Sequence, residues 1–211
     1  MTETALRHKV CGVLLAGGQS RRMGGGDKTL QPLAGKPILG HAIARIRPQV
    51  ACLVLNANGD PARFADWRLP VQPDTVPDYA GPLAGILAGM EWAARHAPVC
   101  DLVLSAPTDA PFLPRDLVDR LEQGMIDSGA DIACAGSGGR AHPPIALWPV
   151  SLAEDLRLAM TQEGVRKVDA FTARYKVARV DWAAEPLDPF MNVNTPEDLE
   201  RAAALAGEIT G

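Results

Sequence analysis

Apolar residues along this chain fall in short unbroken runs, at 10–15 (VCGVLL), 51–56 (ACLVLN), 99–105 (VCDLVLS) and 130–135 (ADIACA). None alternates with period two, the pattern of a strand with one wet face, so each predicts a strand buried on both faces. Between the runs the period changes. Within residues 82–97, Leu83, Ile86, Leu87, Met90 and Ala94 follow the spacing of one helix face. Within 114–125, Leu117, Leu121 and Met125 recur every fourth residue behind Pro114, which suits a helix start. Residues 136–149 begin as a loop and end in an apolar run that reads as another strand. A helix from Ser151, a strand near 175–181 and a last helix capped by Thr195, with Pro196 first and Asp198 at its third position, complete the pattern. Strand alternating with helix predicts an α/β chain with a mostly parallel central sheet and helices on both faces.

Such sheets bind ligands at the carboxyl ends of their strands, and the Gly and Pro clusters follow strands here. They are GGQSRRMGGG after the first run, PDTVPDYAGP after a short run at 69–72, and APTDAPFLP after the run at 99–105. Asn56 ends the second strand, Asp74 follows the run at 69–72, and Asp109 follows the strand at 99–105, so all three should share one rim.

Composition limits the partners. The 211 residues, 47% hydrophobic and 22% charged, suffice for a full core in one domain, and no stretch reads as a linker or repeat. A net charge of −4 argues against a general nucleic-acid or anionic-membrane surface, so any positive site is local. Gly17 and Gly18 cut short the apolar run behind Arg7, His8 and Lys9, unlike a signal peptide, and no run approaches the roughly eighteen residues of a membrane span. A cytoplasmic chain with reduced thiols is expected. Cys11, Cys52, Cys100 and Cys134 each stand in an apolar run without a Cys-x-x-Cys pair, which predicts buried thiols.

The loop LAGGQSRRMGGGDKTL, residues 15–30, follows the first strand. Asp27 separates Gly26 from Lys28, so the phosphate-loop pattern Gly-Lys-Ser/Thr fails, and the glycine spacing fails the dinucleotide fingerprint. The physical features of an anion site remain. Glycines let successive N–H groups turn inward, and Arg21, Arg22 and Lys28 add positive charge around the same space, which suits several phosphates in a row. An Asp at the adjacent rim suits Mg²⁺, which prefers oxygen donors and rides on one or two carboxylates plus substrate phosphates.

Leu15-Ala16-Gly17-Gly18 with Ser20, Arg22-Met23-Gly24 and Asp27-Lys28 resembles the signature of nucleotidyltransferases with a Rossmann-like sheet. The blocks DYAGPLAG (78–85), TDAPF (108–112), HPPIALW (142–148) and NVNTPE (192–197), in this order, resemble the MobA-like molybdenum cofactor guanylyltransferases. The resemblance runs from about residue 10 into the last helix. It implies one Rossmann-like nucleotidyltransferase domain over 1–211, with a nucleotide-binding half at about 10–110 and an acceptor-binding half at about 111–205. It also implies transfer of GMP from GTP to the terminal phosphate of molybdenum-loaded molybdopterin, with release of pyrophosphate.

Roles follow from the resemblance position by position. Leu15, Ala16, Gly17 and Gly18 lie along the nucleotide, Arg22 and Lys28 neutralise the triphosphate, and Asn56 and Asp74 contact the nucleoside. Gly81 and Gly85 let a turn approach the base, and Asp109 holds Mg²⁺. His142, Asn192 and Asn194 line the acceptor site. Arg22, Lys28 and Asp109 form the catalytic set. A monomer is implied, with transient contacts to molybdenum-insertion and cofactor-acceptor proteins. Two rivals stand beside this reading: a CTP-dependent cytidylyltransferase acting on the same cofactor or a sugar phosphate, and a non-enzymatic scaffold that holds the cofactor.

Overall fold

The computed structural model describes residues 10–16, 28–77 and 81–210, with the backbone alone for Lys28 and 206–210. Seven strands form one sheet: β1 (Val10–Leu15), β4 (Cys52–Asn56), β5 (Val71–Gln72), β6 (Leu102–Pro107), β7 (Ile132–Ser137), β8 (Arg140–Pro149) and β9 (Val177–Trp182). Their order is β5-β4-β1-β6-β8-β7-β9, and β8 alone runs antiparallel to both its neighbours. A two-strand ribbon pairs β2 (Pro32–Leu33) with β3 (Lys36–Pro37).

Every residue of β1 is buried, as its unbroken apolar run requires of a central strand. Val10 and Leu14 face one core with Leu39, Ala42 and Ile46 of α1 (Ile38–Ile46) and Leu117, Val118 and Leu121 of α3 (Leu117–Ser128). Cys11, Val13 and Leu15 face the opposite core with α2 (Pro82–His96), α4 (Ala153–Thr161) and α5 (Val168–Thr172). A third, smaller cluster joins Leu33, Ile38, Phe112 and Val193 to Ala202 of α6 (Pro196–Thr210). No helix among the described residues is long and apolar enough to cross a membrane.

Local departures from the sequence pattern have tertiary causes. Strands expected at 99–105 and 130–135 start later, at Leu102 and Ile132, so Cys100 lies in the turn before β6. The helix expected from Pro114 begins at Leu117. Buried Gln49 sets that start, donating to the Pro114 carbonyl at 2.8 Å and accepting from the Val118 N–H at 3.0 Å. Gly138 and Gly139, both at positive φ, make a tight turn in place of the longer loop expected after 136. Strand β8 therefore begins at Arg140 and contains Pro143 and Pro144, beside a register irregularity between Cys134 and Gly136 that accommodates residues unable to donate to a ladder. Helix α4 starts at Ala153, after a short 3₁₀ turn over Val150–Leu152. The last helix is capped as its sequence predicts. Asp198 N–H donates to the Thr195 hydroxyl at 3.1 Å, and the Asp198 carboxylate accepts from Thr195 N–H and Asn194 N–H at 2.9 and 2.8 Å.

Candidate active site

The parallel strands β1, β4, β5 and β6 end on one rim, where the expected nucleotide-side residues collect. Ala16 N–H donates to the Asn56 carbonyl at 2.8 Å, and the Thr108 hydroxyl and N–H both reach the Leu15 carbonyl at 3.2 Å. Strand ends carrying Leu15, Asn56 and Asp109 are thereby bound to one another. Of the remaining phosphate-side candidates, Gly17, Gly18 and Arg22 lie outside the described residues, as does the Lys28 side chain. The Lys28 backbone opens a 3₁₀ turn, Lys28–Leu30.

Asn56 is buried and spends both amide protons inside the protein, on the Gln72 carbonyl at 3.1 Å and on Asp74 Oδ1 at 2.9 Å. Asp74 Oδ2 accepts from Asn58 Nδ2 at 2.7 Å, while Asp74 N–H donates to Asn58 Oδ1 at 2.9 Å. Two asparagines thus hold the carboxylate in place, and its remaining lone pairs stay available to an N–H donor. Asn58 belongs to none of the sequence motifs. Its signal is the Asn-Ala-Asn spacing at the end of β4, which puts Asn58 just past the strand on the rim.

Gly81 caps helix α2 at φ 128°, a conformation only glycine adopts readily, and Pro82 occupies the first helical position. Residues Pro82 to Gly85 are the first helical turn rather than a free loop. A Cβ on Gly85 would stand 2.2 Å from Asn56 Oδ1 and 2.8 Å from Leu15 Cδ2. The absence of a side chain therefore seats the start of α2 against Asn56 and Leu15.

The acceptor-side candidates reach the same edge along a different route. Because β8 runs antiparallel, His142 near its start lies beside the ends of β7 and β9. The Ser137 hydroxyl donates to Asp188 Oδ1 at 2.8 Å, so its 2.7 Å contact with His142 Nε2 has the ring as donor. Neutral His142 consequently presents Nδ1 as an acceptor. Phe190 lies 4.9 Å from the ring, centre to centre, and its N–H also donates to Asp188 Oδ1. Three residues on, Val193 N–H donates to the Asp109 carbonyl at 2.8 Å. One segment, 188–194, thus ties His142 to Asp109 and carries Asn192 and Asn194, both exposed, on either side of Val193. Ser137 and Asp188 carry no motif signal of their own; only the fold brings them to His142.

Burial holds the His142 pKa below the 6.5 of a free histidine, with Arg140 and Arg179 adding to the depression and Asp188 opposing it. On acidification the unfolded chain therefore takes up this proton first. The stability contributed by neutral His142 is complete above about pH 6.5 and declines as pH falls through that value toward the folded midpoint. An NMR titration of the ring should give a midpoint below 6.5. A midpoint above it would contradict the neutral, Nε2-donating state.

The family model for the MobA-like NTP transferase domain matches residues 12–179. The chain belongs to the MobA-like NTP transferase family. It is 58% identical over 197 residues to the molybdenum cofactor guanylyltransferase of Bradyrhizobium sp. (strain ORS 278), covering 93% of each chain. The protein of that name from Rhodopseudomonas palustris (strain HaA2) is 56% identical, over 92% of this chain and 91% of its own. Among solved structures, the molybdopterin-guanine dinucleotide biosynthesis protein A of Archaeoglobus fulgidus superposes with a TM-score of 0.72 at 25% identity, covering 94% of this chain and 99% of the other. This MobA-like chain is accordingly a nucleotidyltransferase with the mostly parallel α/β sheet its hydrophobic pattern predicts.

Proposed function

We propose that this MobA-like chain transfers GMP from GTP to the terminal phosphate of molybdenum-loaded molybdopterin, forming the guanine dinucleotide and releasing pyrophosphate. The observation that carries this reading is identity of more than half, over nine-tenths of the chain, with proteins named molybdenum cofactor guanylyltransferase. The geometry suits the chemistry. A phosphate monoester has its second pKa at about 6, so the attacking group is already largely ionised at neutral pH and needs no strong base. The chain's work is to bring two anions into line and offset their charge.

In this reading Gly17 and Gly18 turn their backbone around the triphosphate and Arg22 and Lys28 offset its charge, with Leu15 and Ala16 along the nucleotide. Asp74, held by Asn56 and Asn58, accepts from the ring N–H and amino group that guanine has and adenine lacks in this arrangement. His142 offers its Nδ1 to a pterin N–H, and Asn192 and Asn194 donate amide protons to the acceptor phosphate. Asp109 supplies a carboxylate at the rim, and among the described residues no three His, Cys, Asp or Glu side chains gather into an all-protein metal cage. Magnesium suits such a donor, since it commonly takes one or two carboxylates and fills its shell with phosphate oxygens and water. Bound there, it supplies charge stabilisation at the α-phosphate and the departing pyrophosphate.

The reading places the work in the cytoplasm, where GTP is available, with transient contacts to the proteins that load molybdenum and receive the product. Titrating the protein with GTP, CTP and ATP in the presence of Mg²⁺ tests the nucleotide assignment. GTP should bind most tightly; tighter binding of CTP would move the chain to the cytidylyltransferase reading.

A further inference from the structure

At the amino-terminal end of the sheet, away from the rim, three thiols gather. Cys52 opens β4 and is half-buried; Cys100 lies buried in the turn between α2 and β6; Cys11, fully buried, is the register partner of Cys52 on β1. The Cys52 and Cys100 sulfurs are 3.9 Å apart, and both are free thiols. We propose that Cys52 and Cys100 form a covalent modification site, at which Cys52 attacks a low-molecular-weight disulfide and Cys100 resolves the product into an internal disulfide.

The two steps balance. The Cys52 thiolate attacks one sulfur of RSSR, forming a mixed disulfide and expelling one thiolate. Cys100, losing its proton as it reacts, attacks the Cys52 sulfur and expels the second. The protein gives up two electrons and two protons, and RSSR becomes two RSH.

Environment separates the two roles. A hydrogen bond from the Cys11 thiol, helped by one from Cys100, lowers Cys52 to about 7 against the opposing effect of burial. The Cys11 thiol, which also has the Gly12 carbonyl 3.8 Å away, is held protonated. Burial pushes Cys100 up to about 12, which suits a thiol that stays quiet until Cys52 carries a leaving group. Closing the bond requires the two sulfurs to approach by roughly 1.8 Å. Cys100 can supply that movement because it lies in a turn, beside Val99 at 65% exposure, whereas Cys11 is fixed in the β1–β4 ladder and fully covered. The bond would tie the start of β4 to the turn that follows α2, and the opposite ends of that strand and that helix carry Asn56 and Gly85.

Oxidised glutathione is the probe. After incubation of the full chain, alkylation under denaturing conditions and digestion, the expected product is a peptide pair joining Cys52 to Cys100, with Cys11 and Cys134 alkylated and the link removed by dithiothreitol. Cys100→Ser should stop at a glutathione adduct on Cys52, and Cys52→Ser should give neither species. Alkylation of all four cysteines in the wild type, a Cys11–Cys52 link, or a Cys100→Ser protein without an adduct would overturn the proposal.

Discussion

Replacing Asp109 with Asn should slow pterin-dependent pyrophosphate release by about a hundred- to a thousand-fold, the loss typical of removing one charge-stabilising group from a transfer site. The substitution keeps the side chain's size and removes its charge. It also leaves the backbone carbonyl that anchors the neighbouring segment, since Val193 N–H bonds to that oxygen and not to the carboxylate. The backbone tie to the segment that carries Asn192 and Asn194 should therefore survive, and a cooperative urea transition checks that the Asp109→Asn protein is folded when its turnover is measured. GTP affinity should fall much less than turnover, because Asp74 and the two asparagines that hold it are untouched. A scaffold that merely stored the cofactor would lose nothing by this change. Wild-type turnover in the Asp109→Asn protein would remove Asp109 from the mechanism.

The second large effect is expected at Gly85. Alanine there places a carbon 2.2 Å from Asn56 Oδ1 and 2.9 Å from Asn56 Cγ, within a buried contact that cannot absorb it without movement. Asn56 must shift, and with it one of the two hydrogen bonds that the Asp74 carboxylate accepts. Overpacking of this kind costs about 1–3 kcal/mol, offset in part by the roughly 1 kcal/mol that Ala gains over Gly in a helix. GTP affinity should fall about ten-fold, as expected when roughly 1.4 kcal/mol of base recognition is lost. Gly89 provides the control. It lies one turn later on the same helix, and a Cβ there would meet Val13 Cγ2 at 2.2 Å, with Val13 rather than Asn56 supplying its nearest neighbours. Gly89→Ala should lower stability comparably and leave GTP binding unchanged. Equal losses of affinity in both variants, by calorimetric titration, would show that Gly85 acts only through packing.

Much of the frame is legible in the chain because burial writes itself into composition. Val10–Leu15 reads as a central strand since nothing polar survives between two cores, and once the strands are parallel their ends must share a rim. That logic places Asn56, Asp74 and Asp109 correctly without any contact being known. Helix α1 does not show in the sequence because it is short, with Gly40 and His41 interrupting its apolar positions. Its stability is tertiary: a Cβ on Gly40 would stand 2.9 Å from the Trp67 ring, so the helix is seated by a distant tryptophan. The start of α3 is not legible for a similar reason, since Gln49, 69 residues away, supplies the cap. Supporting residues at the site escape in the same way. Asn58, Ser137 and Asp188 are ordinary turn and strand-end residues in sequence, and become significant only when folding brings them to Asp74 and His142.

Pyrophosphate release is the most direct measurement: purified protein, GTP and Mg²⁺, with molybdenum-loaded molybdopterin added last. Release should begin only on addition of the pterin, with one guanine dinucleotide formed for each pyrophosphate, and CTP or ATP should not replace GTP. Pyrophosphate released equally without the pterin, or GTP bound and never consumed in its presence, would contradict the assignment of this chain as a guanylyltransferase.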